Sequence, residues 1–431
     1  MSHIRSHFPV SAATSEFGSG LRKWPLRGFF ALLDQGLISG SNFVLAILLA
    51  RWLAPRQYGG YAVAFEAFLF LSVVYGALVL EPMSVFGASI YKEHFQDYLG
   101  ILLRIHGVVS VAIVALVLVA AALLNTTRPA STFPSALAGV GVATPCLLLF
   151  WLARRGFYVH LLPQKAAFGA CVYCAVMLTG VMVAYRLRFL SSLSAFLMMA
   201  AGALLTGPAM LRWFTHHLPH GTPSPFRPRD VIRQHWIYGR WAVASALVIW
   251  LSGAIYYPLL GTFFNLAETA KFKALMNLSS PIGQVFVAMS LLSLPYASRA
   301  HYEEGTAATG RIGWKLASVY ISGTCLYWFV LLLVREPVVR YLYMGKYAQI
   351  TSLLPWLALG SIFRIAATSQ TIILKARNSP QMVFIAYSGA CLVAIVLGVP
   401  CTLWFGISGA LFVWILSSAV ALRFPSNTLE T

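Results

Sequence analysis

Acidic side chains are the scarcest chemistry in this chain: Asp and Glu total 12 in 431 residues, and Asp occurs only at positions 34, 97 and 230. Charge of either sign is sparse, at 10% of residues against roughly 25% in soluble domains. So few charges cannot cover the surface of an aqueous protein of this length, which excludes the soluble class and, with it, disordered and fibrous chains. The six cysteines (Cys146, Cys171, Cys174, Cys325, Cys391 and Cys401) all sit in apolar stretches, which excludes a disulfide framework. Cys171 and Cys174 have redox-motif spacing, but their surroundings, AAFGACVYCAVML, read as a membrane helix rather than a strand–helix active site.

What the chain has instead is apolar length. Hydrophobic residues make up 59% of it, and the mean hydropathy is +0.76. Twelve segments are long enough to cross about 30 Å of hydrocarbon: 28–50, 60–80, 99–124, 135–153, 166–185, 189–211, 239–261, 274–296, 312–334, 349–374, 380–401 and 402–422. The first is too long for a signal-peptide core and lacks a cleavage site, so it is expected to remain as a membrane helix. The reading is therefore an all-α polytopic membrane protein of about 12 transmembrane helices, divided by the Pro-, His- and Arg-rich connection 212–238 into two bundles of six. Residues 1–27 form a basic leading segment, 28–211 and 239–422 the two bundles, and 423–431 a tail.

The 31 Lys and Arg give a net charge of +19, a value that elsewhere suggests nucleic acid. Here the basic residues fall in short turns between apolar runs, the pattern of topology signals, and no nucleic-acid partner is expected. With the N-terminus in the cytoplasm, 21 of them fall inside and 10 outside. That excess follows the positive-inside rule and puts both termini in the cytoplasm. A gapless shift of 211 residues sets Gly28 on Gly239, Ala31 on Ala242, Ser41 on Ser252 and Leu48–Leu49 on Leu259–Leu260. With the midpoint connection, this favours a parallel internal repeat, a transporter architecture.

Several stretches resemble the Wzx-like bacterial polysaccharide flippases of the multidrug/oligosaccharidyl-lipid/polysaccharide exporter superfamily. They are Asp34-Gln-Gly-Leu-Ile-Ser-Gly-Ser-Asn42, Ala50-Arg-Trp-Leu-Ala-Pro-Arg-Gln-Tyr-Gly-Gly-Tyr61, Arg154-Arg155-Gly-Phe-Tyr158, His235-Trp-Ile-Tyr-Gly-Arg-Trp241 and Tyr343-Met-Gly-Lys-Tyr347. The resemblance runs from about residue 28 to 422. It implies two six-helix bundles around a central cavity, alternately open to each side of the bacterial inner membrane, moving a glycan linked to undecaprenyl pyrophosphate outward. Membrane lipids, a polysaccharide polymerase and other synthesis proteins are the partners it suggests. Read physically, Gly36, Ser39, Gly40 and Ser41 give helix one a small-residue face. Pro55 cannot continue a helix, and Gly59-Gly60 is expected to form the turn into helix two.

Charges inside apolar spans are costly and are the default functional candidates. They are Asp34, Glu66, Glu81 and Arg104 in the first half, beside His106, and Arg364 in the second, with Arg240 opening the seventh span and Lys375 closing the tenth. Arg364, Arg240 and Arg104 are the candidate cargo contacts, because a guanidinium matches phosphate oxygens with a delocalised charge and a donor fork. Asp34 and Glu66 are candidate counter-ions or proton or sodium coupling sites; the rival account of Arg364 is a helix-locking ion pair with one of them. Glu81, before Pro82 at a helix end, reads as topological. His216, His217, His220 and His235 lack an adjoining Cys or carboxylate, so no metal site is expected, and no cofactor. The links 84–98 and 227–241 mix apolar, aromatic and basic residues as interfacial helices do.

Two other functions fit less well. A cation-coupled drug exporter of the same superfamily would want an acidic cavity. A membrane polysaccharide polymerase or glycosyltransferase would want catalytic carboxylates or a large outer loop, so an enzyme is disfavoured.

Overall fold

Prolines mark several of the helix starts here, although Pro145 and Pro208 lie within helices. A computed structural model describes residues 24–127, 131–216, 226–377 and 380–429. Pro55, Pro163, Pro228 and Pro355 stand in the first turn of their helices, where the missing N–H is one that has no intrahelical acceptor anyway. The helices are α1 (Trp24–Trp52), α2 (Pro55–Tyr75), α3 (Phe95–Thr127), α4 (Phe133–Val159), α5 (Pro163–Arg186) and α6 (Ser192–His216). There follow α7 (Pro228–Ala254), α8 (Tyr256–Phe263), α9 (Leu266–Asn277), α10 (Ser280–Leu333), α11 (Arg335–Tyr343), α12 (Leu354–Ala376) and α13 (Pro380–Leu429). A π-helical turn, Gly76–Leu80, and a short helix, Glu81–Phe86, prolong α2. No strand occurs among the described residues.

Nine of these helical stretches are long and apolar enough to cross a membrane among the described residues, or ten when the two parts of α7, which meet at 43°, count as one. One of the nine, Met382–Arg423, has 42 residues and extends about 60 Å, twice the thickness of the hydrocarbon. It is broken at Gly406, whose φ of 58° is left-handed, and α10 is broken in the same way at Gly305 with a φ of 84°. Only glycine holds such angles without steric cost.

Helices α1–α6 pack among themselves, chiefly α4 on α6, α1 on α5, α5 on α6 and α3 on α4; among the later helices α10 packs on α12, α12 on α13 and α7 on α13. Aromatic contacts fill the first group, with Tyr61 on Phe196 at 4.9 Å and Phe150 on Tyr173 at 4.8 Å. Outward, α3 shows Val108, Val111, Leu116 and Leu123 to the surroundings, as a lipid-facing helix must.

Three local expectations are corrected. Gly59-Gly60 lies inside α2 rather than in a turn: the chain needs only Leu53 and Ala54 to pass from α1 to Pro55, and a Cβ at Gly59 would overlap the Leu266 carbonyl, so this glycine serves close helix contact. The link 84–98 is not one helix; between Phe86 and Phe95 it forms turns, closed by the Tyr91 N–H donating to the Phe86 carbonyl at 2.9 Å. The seventh helix begins at Pro228, not 239, because the stretch proposed as interfacial continues into the span.

Candidate functional site

Asp34 lies eleven residues into α1 and is 1% exposed. A buried carboxylate needs donors, and α4 supplies them from one face: Arg154 and Tyr158 are four residues apart, hence stacked on successive turns. Arg154 Nε donates to Asp34 Oδ1 at 3.2 Å, its Nη2 donates to Oδ2, and the Tyr158 hydroxyl donates to Oδ2 at 2.7 Å. The guanidinium also lies 5.4 Å from the centre of the Phe150 ring. Nearby, Cys174 of α5 donates to the Leu37 carbonyl at 3.4 Å, while Cys171, the other member of the CxxC pair, is exposed.

Glu66, on α2, is likewise buried and faces Lys273 of α9, with Nζ 3.4 Å from Oε1. Lys273 sits between Phe65 and Tyr257, 5.1 Å from each ring centre. This pair joins the first group of helices to the second. Around it runs a wider contact: the Asn277 amide donates to the Tyr58 hydroxyl at 2.8 Å, Tyr58 tilts against Tyr347 at 6.4 Å, and Lys346 donates to the Arg51 and Leu53 carbonyls at the end of α1. These contacts close the two groups of helices against each other at this end.

Arg364 stands eleven residues into α12. It borders a small hole of about 10 Å³, room for one water, between α7, α12 and α13, lined by Ser252, Tyr387, Ser417 and Ser418. The guanidinium lies against Gly253, where a Cβ would meet Nη2 at an ordinary contact distance of 3.6 Å. No carboxylate pairs with Arg364 among the described residues: Asp34 holds Arg154 and Glu66 holds Lys273. The helix-locking pair considered from sequence is therefore not formed.

The other candidates lie apart. Arg104 borders a groove of about 530 Å³ between α2, α3 and the start of α7. Arg240 is exposed at the bend of α7. Glu81 is exposed and accepts from the Tyr238 hydroxyl at 3.2 Å, and Lys375 is exposed in the last turn of α12. His106 is buried between Tyr75 and Ser110, its two ring nitrogens 3.1 and 3.2 Å from their hydroxyls. His235 donates from Nδ1 to the Leu78 carbonyl at 2.9 Å and accepts from Tyr98 at 2.7 Å. His217 and His220 lie outside the described residues.

The residues sequence reasoning missed are the partners, Arg154, Tyr158 and Lys273. Arg154 and Tyr158 were visible in the Arg-Arg-Gly-Phe-Tyr stretch, where their spacing of four is a pairing signal; nothing in the local sequence of Lys273 separates it from a topology charge.

No family model and no curated protein matches the chain. Among solved structures it is similar to an inward-facing multidrug resistance MATE family transporter of the MOP superfamily, with a TM-score of 0.75, 14% identity, and 92% of this chain and 94% of that one covered. The lipid II flippase MurJ in an inward closed conformation gives 0.69 at 14% identity, over 94% of this chain and 87% of that one. An outward-facing MATE family transporter gives 0.67 at 13%, over 94% and 95%. At these identities the likeness is one of fold: this is a multi-pass membrane protein with the transporter architecture those chains share.

Proposed function

We propose that this protein is a Wzx-like flippase that moves a lipid-linked oligosaccharide of the undecaprenyl-pyrophosphate type from the inner to the outer leaflet of the bacterial cytoplasmic membrane, for surface polysaccharide synthesis, by alternating access. The observation that carries this reading is the charge balance inside the spans. Both buried carboxylates are already matched by a base, whereas Arg364 has no acidic partner. The surplus is positive, which suits a diphosphate and opposes a cationic drug, since a buried cation without a counter-ion is costly until an anion meets it. Arg240 is a further candidate contact for the anionic cargo, whereas the groove position of Arg104 sets it apart from that role, and Asp34 and Glu66 are counter-ions whose protonation would release Arg154 and Lys273.

The same reading includes twelve crossings in two six-helix bundles, 28–211 and 239–422, related by a parallel repeat, with both termini cytoplasmic. The breaks at Gly305 and Gly406 support the count, because each divides a helix too long for one crossing. In that orientation the closed end, with Tyr58, Asn277 and Lys346, faces outward. The higher TM-score with the inward-facing transporter than with the outward-facing one agrees.

The test is glycan export measured together with protein abundance. Arg364→Ala keeps a good helix former, so abundance is expected to hold while export falls; Arg364→Lys rescues partly where bidentate contact matters. Normal export from a well-expressed Arg364→Ala strain overturns the reading.

A further inference from the structure

Arg104 poses a problem that the flippase reading does not solve. It is the tenth residue of α3, about 13 Å along the axis, on an exposed face, and it makes no hydrogen bond or ion pair with any described residue. A guanidinium on the outer face of a membrane helix must meet water or an anion, since hydrocarbon offers neither. Along the same face Ile101, Ile105, Val108 and Ile113 form one wall of the groove, with Trp236 of α7 on another. Ile101 to Ile113 spans about 18 Å, close to the ~15 Å depth of hydrocarbon in one leaflet. The groove is almost wholly apolar along its length, with Arg104 on its wall. His235 and Tyr75, the other titratable groups on its wall, are already satisfied, the first by Tyr98 and Leu78 and the second by His106.

We infer that this groove is a binding site for one resident anionic phospholipid, its acyl chain lying along α3 and its phosphate on Arg104. Charge complementarity argues for the headgroup, because Arg104 is a cation on a groove wall that carries no carboxylate among the described residues. Closure of the groove argues for a resident lipid rather than the tail of a transported one. The α2–α7 contact seals its floor: His235 bonds the Leu78 carbonyl there, and a Cβ at Gly239 would lie 2.9 Å from the Ala77 carbonyl. A chain in the groove therefore has no path past that contact towards Arg364.

Trp236, 58% exposed, is the reporter. The full chain is reconstituted in phosphatidylcholine vesicles containing phosphatidylglycerol or phosphatidylcholine with brominated acyl chains. The fluorescence lost in Trp236→Phe isolates this residue from the other tryptophans. Brominated phosphatidylglycerol is expected to quench Trp236 at a roughly fivefold lower mole fraction than brominated phosphatidylcholine, the preference one basic side chain confers. Arg104→Gln should abolish that preference and Arg104→Lys should keep it. Equal quenching by the two lipids overturns the inference, and this comparison uses the unmodified chain whether or not Arg104→Gln folds. A preference that survives in Arg104→Gln also overturns it. So does displacement by polyprenyl phosphate at amounts where unlabelled phosphatidylglycerol does not displace, which assigns the groove to an isoprenoid tail.

Discussion

The Asp34–Arg154–Tyr158 cluster sets the price of a single side chain in this interior. Arg154→Ala leaves a buried carboxylate unmatched, a loss of about 3–5 kcal/mol, and is expected to lower both abundance and melting temperature in detergent. Tyr158→Phe removes one hydrogen bond to the same charged group, about 1.5–3 kcal/mol, and should fall between Arg154→Ala and the unmodified chain. The pair Asp34→Asn with Arg154→Gln should melt above Arg154→Ala alone; equal melting would mean the cluster is not a coupled unit. Outside the spans, His160 follows α4 and lies edge-on to Phe95 and Phe214, at 4.6 and 5.0 Å. Burial pushes its pKa below the ordinary imidazole value, against the opposing hydrogen bond to the Gly156 carbonyl. The neutral ring is thus the folded form. Stability should fall as the pH drops below about 6.5 and level off beneath the folded value, and His160→Gln should flatten that part of the melting profile. A profile unchanged by His160→Gln would show that the ring titrates as in water.

At the scale of elements, legibility followed the strength of the local signal. Long apolar runs such as 99–124 and 135–153 sit inside α3 and α4, because length and hydropathy alone decide whether a segment can satisfy its backbone in lipid. Gly59-Gly60 was misplaced because glycine permits a turn and a close helix contact equally, and only the position of Leu266 decides between them. The partner Lys273 was beyond composition for a similar reason: pairing is a property of packing between segments distant in sequence. The broken helices give a paired test. Gly305, with φ 84° and ψ −167°, occupies a region open essentially to glycine, and Gly406, with φ 58° and ψ −132°, lies in the mirror image of the β region, likewise glycine's. Gly305→Ala and Gly406→Ala should each cost about 1–3 kcal/mol and lower the melting temperature. Unaltered melting of both would mean that the breaks are not held.

For the whole molecule, the closed end is the testable object. Tyr58 and Asn277 face each other across the two groups of helices, joined at 2.8 Å. A short reducible bis-thiol crosslinker joining Tyr58→Cys to Asn277→Cys is expected to arrest transport, and reduction to restore it, with the single variants retaining activity. Transport that persists with the crosslink complete would show that this end need not open. Cysteine labelling at residue 220 tests the orientation: modification from outside the cell would reverse the topology. The proposed orientation rests on the 21-to-10 distribution of Lys and Arg, whereas the contact between Tyr58 and Asn277 had no sequence signal, since it depends on packing between segments more than 200 residues apart.

The bend in α7 ties a local angle to a global one. Its first part, Pro228–Arg240, rests on Leu78, Glu81, Tyr91 and Tyr98, and its second, Ala242–Ala254, packs on α13. A rod clamped to two bodies at its two ends records their relative rotation in its own curvature. Spin labels at Arg233 and Leu251, about 27 Å apart on a straight helix and nearer on one folded by 43°, would then act as a goniometer. A single distance within one helix would report how far the two groups have swung.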